Sequence, residues 1–402
     1  MPVKLLRIAI IGCGTAGPAA AVLLRRQGHD VVLFERAESC QPVGAGFLLQ
    51  PSGMGVLREL GILEMVLAHA ARVERLHVLD EAGATLLDLR YQEIGDGRFG
   101  AGLHRPVLLH HLIEAAREAD VDLRWGWEIA NVTKTDGLWS VKSVTGACCG
   151  GFDLLVVADG ARSKLRDLAG TGGVNRGYDW GAHWFIGTND GAFPENELYQ
   201  VVNGTRKLGG FLATGRDLGG GPPLVSLFWS IRTVDDAAWR ERPLQEWKDE
   251  ILGLCPRAAC LLGQIDSWDQ VLTARYGDVR MRRWHADGLV VLGDAAHAMS
   301  PQLGQGVNLA LADASCLAEC LDALPLPAAL RAYQRRRTLT LRYYQLATRW
   351  LTPWFQSDHE WLTPVRRIFF AMARRVPWAR WFMTRTMAGL VGFRETGGRD
   401  AD

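Results

Sequence analysis

A glycine pattern near the beginning of the chain constrains the fold more than any other feature. Positions 12–17 have the sequence GCGTAG, which fits G-x-G-x-x-G, follows a predicted apolar strand at Arg7–Ile11 and opens a predicted helix. A second apolar strand, Asp30–Phe34, comes next and leads into Glu35. This order predicts a parallel βαβ unit whose glycines allow a tight turn, close approach of the backbone to a pyrophosphate, and tight packing of helix on strand.

The predicted βαβ unit should bind a dinucleotide. Its helix N-terminus faces the pyrophosphate, because unpaired N–H groups and the helix dipole attract an anion. The carboxylate of Glu35 is placed to accept hydrogen bonds from the adenosine ribose. Its charge disfavours a 2′-phosphate, so the expected dinucleotide is FAD or NAD and not NADP. The residues predicted to contact it here are Gly12, Gly14, Thr15, Ala16, Gly17, Glu35 and Arg36.

Two further segments distinguish FAD from NAD. The apolar strand at 154–158 leads into Asp159, and the apolar strand at 289–292 leads into Gly293 and Asp294, with a glycine-containing helix start shortly afterwards. A carboxylate at the C-terminal end of a strand can accept hydrogen bonds from a polyol, and a helix N-terminus can stabilise negative charge on a flavin ring. NAD has no ribityl chain to use these carboxylates, so the two segments favour FAD.

The three motifs, in this order and at these separations, resemble those of the single-component FAD-dependent aromatic hydroxylases, the family of p-hydroxybenzoate hydroxylase and salicylate hydroxylase. The resemblance extends from Arg7 to about Arg337. It implies that the first motif binds the pyrophosphate, that the Asp159 motif touches FAD and is linked to NAD(P)H use, and that Asp294 holds the ribityl chain. The further FAD contacts that it implies are Gly46, Arg105, Pro301, Gly304, Gly306, Val307 and Asn308.

The resemblance implies a flavoprotein monooxygenase. In such an enzyme NADH or NADPH reduces FAD, O₂ adds to the reduced flavin, and the flavin hydroperoxide hydroxylates a small aromatic or polycyclic substrate. Because the cofactor carries this chemistry, no catalytic residue is assigned, and His297 in the Gly-Asp motif is only a weak candidate. The alternatives are an FAD-dependent epoxidase, dehydrogenase or reductase of the same fold, and a non-catalytic NAD-binding sensor, against which the two Asp motifs argue.

The predicted fold class is α/β, with a Rossmann-like FAD-binding domain discontinuous in sequence, a β-sheet-rich substrate domain and a C-terminal helical segment. The predicted ranges are 1–72, 103–176 and 281–325 for the FAD-binding domain, 73–102 (a hairpin) and 177–280 for the substrate domain, and 326–402 for the helical segment. Alternate residues of a strand face opposite sides of its sheet, so only some aromatic residues of 177–280 can line a substrate pocket. The candidates are His183, Trp184, Phe211 and Phe228.

Composition excludes several classes of protein. The chain is 48% hydrophobic and 22% charged with a formal net charge of +1, which is typical of a globular protein and not of a disordered or fibrous one. Its eight cysteines form no C-x-x-C pair and no spacing that suits zinc, so no metal site is expected. Reduced thiols, no export signal and no apolar run of membrane-spanning length favour a cytoplasmic protein.

The C-terminal segment 325–402 differs from the rest in charge, with 14 Arg against 5 Asp or Glu, and it contains five Trp. One interpretation is peripheral contact with a membrane surface through an amphipathic helix. The favoured alternative is that arginine stems cover aromatic residues packed back on the FAD-binding domain. Nucleic-acid binding is not expected, because the excess charge is local and no nucleic-acid motif accompanies it.

Overall fold

The computed structural model of the protein describes residues 4–40, 44–170 and 173–392. The last ten positions of the predicted C-terminal segment, 393–402, lie outside the described residues. Within the described ranges, none of the helices combines the length and the apolar character needed to span a membrane.

The described strands form two large sheets, of six and seven strands, and two sheets of three strands each. The strands, in chain order, are β1 (Arg7–Ile11), β2 (Asp30–Phe34), β3 (Gly46–Leu49), β4 (Ala71–Val73), β5 (Arg75–Asp80), β6 (Thr85–Arg90), β7 (Gly100–His104), β8 (Asp122–Arg124), β9 (Ile129–Thr135), β10 (Leu138–Ser143), β11 (Cys148–Phe152), β12 (Leu154–Val157), β13 (Val174–Thr188), β14 (Glu197–Asn203), β15 (Lys207–Gly215), β16 (Leu224–Arg232), β17 (Leu272–Arg280), β18 (His285–Ala286) and β19 (Leu289–Val291).

The longest described helix is α10, which runs for 30 residues with Pro353 inside its last turn. In chain order they are α1 (Ala16–Arg26), α2 (Pro51–Glu59), α3 (Leu63–Leu67), α4 (Arg105–Glu118), α5 (Asp236–Arg240), α6 (Leu244–Leu254), α7 (Ala259–Leu262), α8 (Asp294–His297), α9 (Gly306–Ala323), α10 (Leu326–Phe355), α11 (Leu362–Arg375) and α12 (Pro377–Met387).

The six-stranded sheet has the order β18-β19-β12-β1-β2-β8, and its strands are parallel except for β18. Its central strands are continuous apolar runs because a parallel sheet is covered on both faces. The predicted βαβ unit is confirmed as β1, α1 and β2. Because β1, β12 and β19 are adjacent and parallel, the three sequence motifs that follow them lie at one edge of the sheet.

The seven-stranded sheet has the order β17-β13-β16-β15-β14-β5-β6. Its pairs are antiparallel except for β14 and β5, which run in parallel. The hairpin β5–β6 therefore extends a sheet whose other strands come from residues far later in the chain. The structure confirms the predicted α/β class with several sheets and a C-terminal helical segment.

The two faces of the seven-stranded sheet have different neighbours. One face packs against α5 to α7, with Phe211 and Trp229 in the same buried cluster as Trp247. The other face approaches the start of β3, where the backbone N–H of Gly46 donates to Ser226 Oγ at 3.3 Å. Two layers thus meet at a cleft between the motif-bearing edge of the first sheet and this face of the second.

The C-terminal helices close part of this cleft. Helix α11 packs against the hairpin β5–β6, and the cluster beneath it includes Phe370 and Phe355. After α12 the chain turns back to the start of α9, where Gln305 Nε2 donates to Met387 O at 2.6 Å. In the same turn Gly389 has φ +77°, and a Cβ there would collide with Ser52 Oγ. The end of the described chain is therefore fitted against the loops at the cleft.

Candidate functional site

The glycines of the turn between β1 and α1 have three different environments. Gly12 has φ +106°, and a Cβ there would lie 2.5 Å from the carbonyl oxygen of Ala158. A Cβ on Gly17 would collide with the carbonyl oxygen of Gly12. Gly14 differs, because a Cβ there would meet no protein atom within 4 Å. Gly12 and Gly17 thus shape the turn, whereas the side of Gly14 is open and can be approached by a pyrophosphate.

A cavity of about 330 Å³ lies beside this turn. It brings together several residues that the sequence predicted, from α1, the end of β2 and the start of α4. They are Gly14, Thr15, Glu35, Arg36 and Arg105. Ala16 lies behind the cavity and is buried. The cavity has the residues expected around the adenosine and pyrophosphate parts of a dinucleotide.

The carboxylate of Glu35 is oriented by the backbone. Its Oε2 accepts a hydrogen bond from the N–H of Cys13 at 2.7 Å, and its Oε1 accepts one from the N–H of Ala37 at 3.0 Å. Each oxygen keeps a further lone pair for a ribose hydroxyl. Burial, together with the charge of Glu35, raises the pKa of the Cys13 thiol to about 12, so this cysteine stays protonated and is not a nucleophile.

Asp159 presents a buried carboxylate oxygen that lacks an internal donor. Its Oδ1 is buried and has no hydrogen-bond partner among the described residues. Burial raises the pKa of this carboxyl, although Ser163 and Arg166 act in the opposite direction. A buried acceptor without a donor is costly in an isolated protein. Asp159 therefore fits a place where a bound molecule supplies the missing hydrogen bond.

Asp294 is the exposed member of an otherwise buried segment. Every other residue from Leu289 to Ala298 is buried, whereas Asp294 is exposed at the start of α8. Its Oδ1 lies 3.7 Å from the position of a Cβ built on Gly306, at the N-terminus of α9. The carboxylate thus points into the cleft beside a helix N-terminus, within reach of a polyol chain bound there.

The start of α9 forms the open end of the cleft. Pro301 and Gly304 are exposed, and Gly306 and Val307 are half-buried. Gly304 adopts a left-handed conformation with φ +61°, and a Cβ there would meet no protein atom within 4 Å. The first N–H groups of an α-helix have no partner within the helix and carry partial positive charge. This end can therefore stabilise negative charge on a flavin ring.

Two other predicted contact residues have side-chain positions that the protein itself fills. Asn308 accepts a hydrogen bond from the N–H of Gln50 at 2.8 Å and donates to Leu48 O at 3.3 Å. A Cβ on Gly46 would collide with Thr214 and would lie 2.6 Å from Ser226 Cβ. Asn308 therefore fastens the end of β3 and the residue after it to α9, and Gly46 lets the start of β3 approach the second sheet. Only their backbone groups remain to contact a cofactor.

His297, the weak catalytic candidate, lies behind the cleft. It is buried, and its Nε2 is 2.5 Å from Asp313 Oδ2, which also accepts the N–H of Gly293 at 2.9 Å. Arg337 Nε donates to Asp313 Oδ1 at 2.7 Å. Burial alone would raise the pKa of Asp313, but the charges and hydrogen bonds of His297 and Arg337 lower it to about 2. His297 holds the Gly-Asp turn to α9 and has no access to a substrate.

Asp313 and Arg337 were not predicted from the sequence. A signal for Asp313 exists, because it is an acidic residue inside an otherwise apolar run, LALADA at 309–314, which the structure buries in α9. A carboxylate is rarely fully buried without a charged partner. Its partner Arg337 could not be identified by spacing, since it comes from the next helix, 24 residues later.

The predicted pocket residues divide between the two faces of the seven-stranded sheet. His183 is buried with Nε2 at 3.0 Å from Asp236 Oδ1, and Phe211 stacks on Phe193 at 4.3 Å, both on the face covered by α5 to α7. Trp184 and Phe228 are opposite each other in β13 and β16 and are half-buried on the face of Ser226. His183 and Phe211 are therefore not pocket residues, because the strand alternation turns them into the core.

The comparison with protein families identifies the family of the chain that forms this cleft. A family model described as FAD binding domain matches residues 6–342 of the chain. The chain belongs to this family. The match covers every predicted cofactor contact and both large sheets of the flavoprotein.

Known relatives of this flavoprotein are monooxygenases. The 6-methylpretetramide 4-monooxygenase of Streptomyces rimosus is 30% identical over 324 residues, which cover 76% of this chain and 73% of the relative. The FAD-dependent urate hydroxylase of Mycolicibacterium vanbaalenii is 27% identical over 345 residues, which cover 83% and 84% of the two chains. The solved structure of Klebsiella pneumoniae HpxO with FAD and uric acid shares the fold with a TM-score of 0.81, 20% identity, and coverage of 94% and 97%.

The predicted family, cofactor and enzyme class are thus confirmed: the chain is an FAD-dependent monooxygenase of the aromatic-hydroxylase type. When bound, FAD supplies the redox chemistry, in which NADH or NADPH is the reductant, O₂ is the oxidant and an aromatic substrate is hydroxylated. The open side of Gly14, the unpaired Oδ1 of Asp159 and the exposed Asp294 fit this cofactor. No cluster of metal-binding side chains occurs in the ranges described above.

Proposed function

We propose that this flavoprotein monooxygenase hydroxylates a planar aromatic or polycyclic molecule held against Trp184 and Phe228. The observation that carries the proposal is the position of these two side chains. They face each other across β13 and β16, remain half-exposed, and lie on the sheet face that meets the flavin-side loop at Gly46. Aromatic rings bind other rings through stacked or edge-to-face contacts, so this face suits a flat substrate.

The names of several relatives support an aromatic substrate. They include a 3-amino-4-hydroxybenzoate 2-monooxygenase from Streptomyces cremeus, 29% identical over 346 residues, and a kynurenine 3-monooxygenase from Stenotrophomonas maltophilia, 28% identical over 373 residues. These names describe different ring systems on similar chains. The ring type in this protein therefore depends on the residues of its own pocket face and has to be measured.

The work of the chain in this proposal is binding and orientation. Gly14 admits the pyrophosphate, Glu35 accepts the ribose hydroxyls, and Asp159 and Asp294 accept hydrogen bonds from FAD farther along the cleft. The N-terminus of α9 polarises the flavin ring. The seven-stranded sheet and the C-terminal turn exclude water from the reacting edge, which protects the oxidant from side reactions.

Oxygen uptake and nicotinamide oxidation test the proposal together. The purified holoenzyme is given NADH or NADPH with each of a panel of phenols, quinolones and polycyclic aromatics. We expect one ring class to stimulate both oxygen uptake and nicotinamide oxidation and to yield a product heavier by one oxygen atom. Nicotinamide oxidation with an added electron acceptor, without oxygen uptake or oxygenated product for any ring class, would instead identify a reductase.

A further inference from the structure

The exposed aromatic side chains are concentrated in one part of the molecule. Every exposed Trp and Phe of the described residues lies between positions 350 and 382, in or beside the last three helices. Elsewhere, the large apolar side chains that are exposed are scattered aliphatic residues such as Val234. We call the concentrated group the outer helical surface. Its members are Leu339, Leu346, Trp350, Trp361, Val365, Ile368, Phe369, Met372, Trp378, Trp381 and Phe382.

Helix α11 is apolar on two opposite faces. Its inner face buries Leu362 and Phe370. Its outer face carries Val365, Ile368 and Met372 at helical spacing, with exposed fractions of 43%, 63% and 64%. The inner face is explained by packing on the hairpin β5–β6, but no described residue covers the outer face. A second apolar face on a surface helix requires a second partner.

The outer helical surface is continuous across the three helices. The ring of Trp350 in α10 lies 5.4 Å from that of Phe369 in α11. The ring of Tyr343, also in α10, lies 6.2 Å from that of Phe382 in α12. Helix α10 therefore links the apolar residues of α11 and α12 into one patch. Contiguous patches of this kind mark interaction sites, whereas single exposed apolar residues do not.

The charge around the outer helical surface is positive. Residues 361–392 include six Arg and no Asp or Glu. Some of these arginines face inward, as Arg366 does where it lies buried over Phe355 at 5.4 Å. Others are neutralised by acidic groups, as Arg367 is by Glu81 and Arg380 by Glu93. In α10 and α11, four exposed arginines have no ion-pair or hydrogen-bond partner among the described residues: Arg331, Arg335, Arg342 and Arg375.

We propose that the outer helical surface binds the surface of an anionic lipid bilayer. Trp and Phe side chains partition to the level of the lipid headgroups, and unpaired arginines on the same helices attract anionic lipids. A second copy of the chain fits less well, because a twofold interface would bring the same unpaired arginines close together. Buried arginines such as Arg366 cover aromatic residues, as the packing interpretation of this segment predicted. The outer helical surface instead suits the peripheral membrane contact that was the other interpretation.

Vesicle co-sedimentation of the holoenzyme tests this proposal. We expect binding to phosphatidylcholine vesicles that contain one third phosphatidylserine, and much weaker binding to phosphatidylcholine alone. Added salt should weaken the binding because it screens the arginines. The double variant Ile368→Ser/Trp378→Ser should bind about tenfold more weakly, since two apolar side chains no longer enter the interface. Retained flavin absorbance in the variant reports that the protein is folded and loaded.

Val144→Ser is the matched control, because Val144 is 57% exposed, close to the 63% of Ile368, and lies between β10 and β11, outside the three C-terminal helices. We expect its vesicle binding to equal that of the unchanged protein. Equal binding of the double variant, or absence of binding to anionic vesicles, would overturn the proposal. So would a stable dimer in lipid-free solution that the double variant converts to monomer, because the surface would then be covered by a second copy.

Discussion

Two carboxylates nineteen positions apart have opposite environments. Asp313 is fully buried and receives hydrogen bonds from Arg337, the Gly293 N–H and the His297 ring. Asp294 is exposed in a segment where all its neighbours are buried. The hydrogen-bond acceptors of Asp313 are satisfied within the chain, whereas those of Asp294 are free to accept donors from solvent or a bound molecule. The contrast separates a residue that holds the fold from one available to a cofactor, although Asp294 belongs to the Gly-Asp turn and Asp313 accepts a hydrogen bond from it.

We call the site of Asp313 the closed site and that of Asp294 the open site. The largest expected effect comes from removing the Asp313 carboxylate. Asp313→Ala leaves the buried Arg337 and His297 without their shared acceptor, and we expect a loss of about 3–5 kcal/mol in the free energy of unfolding. Urea denaturation of the apoprotein measures it. Asp322→Ala is the control on the same helix, since Asp322 is exposed, and should change stability by less than about 0.5 kcal/mol. Equal stability of the two variants would contradict the structural role assigned to Asp313.

The open site should behave in the reverse way. Asp294→Ala removes a charged acceptor from FAD and should weaken FAD binding by about 1.5–3 kcal/mol, or about ten- to a hundredfold. The free energy of unfolding of the apoprotein should stay unchanged, because Asp294 is exposed there. Fluorescence titration of the apoprotein with FAD gives the affinity. Full affinity in this variant would contradict the proposed role of Asp294 on the ribityl chain.

Acid should affect the closed site at a defined pH. The pKa of Asp313 is about 2 in the folded protein and about 3.9 for an unperturbed Asp, so its ionised form stabilises the fold above about pH 4. That contribution, about 2 kcal/mol, disappears as the pH falls from about 4 to about 2. The stability difference between the unchanged protein and Asp313→Asn should therefore shrink over this range. A difference that stays constant in urea denaturation would show that Asp313 is not ionised.

The smallest expected effect concerns the adjacent residues His183 and Trp184 of β13. Of these, His183 is bound within the protein and Trp184 is available to a ligand. Trp184→Leu removes a ring from the proposed pocket face and should raise KM for the aromatic substrate about fivefold, or about 1 kcal/mol, with FAD affinity unchanged. His183→Gln should lower stability and leave KM unchanged, since its ring is buried against Asp236. A larger KM effect for His183→Gln would place the pocket on the other face.

The sequence predicted most of the first sheet and of its motif-bearing edge. The βαβ unit was predicted to the residue in its strands, because a glycine motif between two apolar runs leaves little choice of structure. The positions of Asp159 and Asp294 at this edge were predicted for the same reason, since each comes shortly after a buried parallel strand. These signals are local. They need only the spacing along the chain and the rule that parallel strands end at one edge.

Features that depend on distant pairing could not be predicted. The face to which His183 or Phe211 points depends on the strand register, and a shift of one residue exchanges the two faces. The partner of Asp313 lies on another helix, and Pro353, a residue type that usually ends a helix, lies inside α10, which continues to Phe355. Loss of one N–H so near a helix end costs little, because the last turn is already weakly held.

The contact between Gln305 and Met387 has a consequence for the order in which the enzyme is made. The residues expected to bind the pyrophosphate leave the ribosome before the turn at 387–389 does. The loops beside Gln305 and Ser52 therefore lack this packing partner until that turn has emerged. The packing of these loops is thus a later event in synthesis than the formation of the glycine turn between β1 and α1.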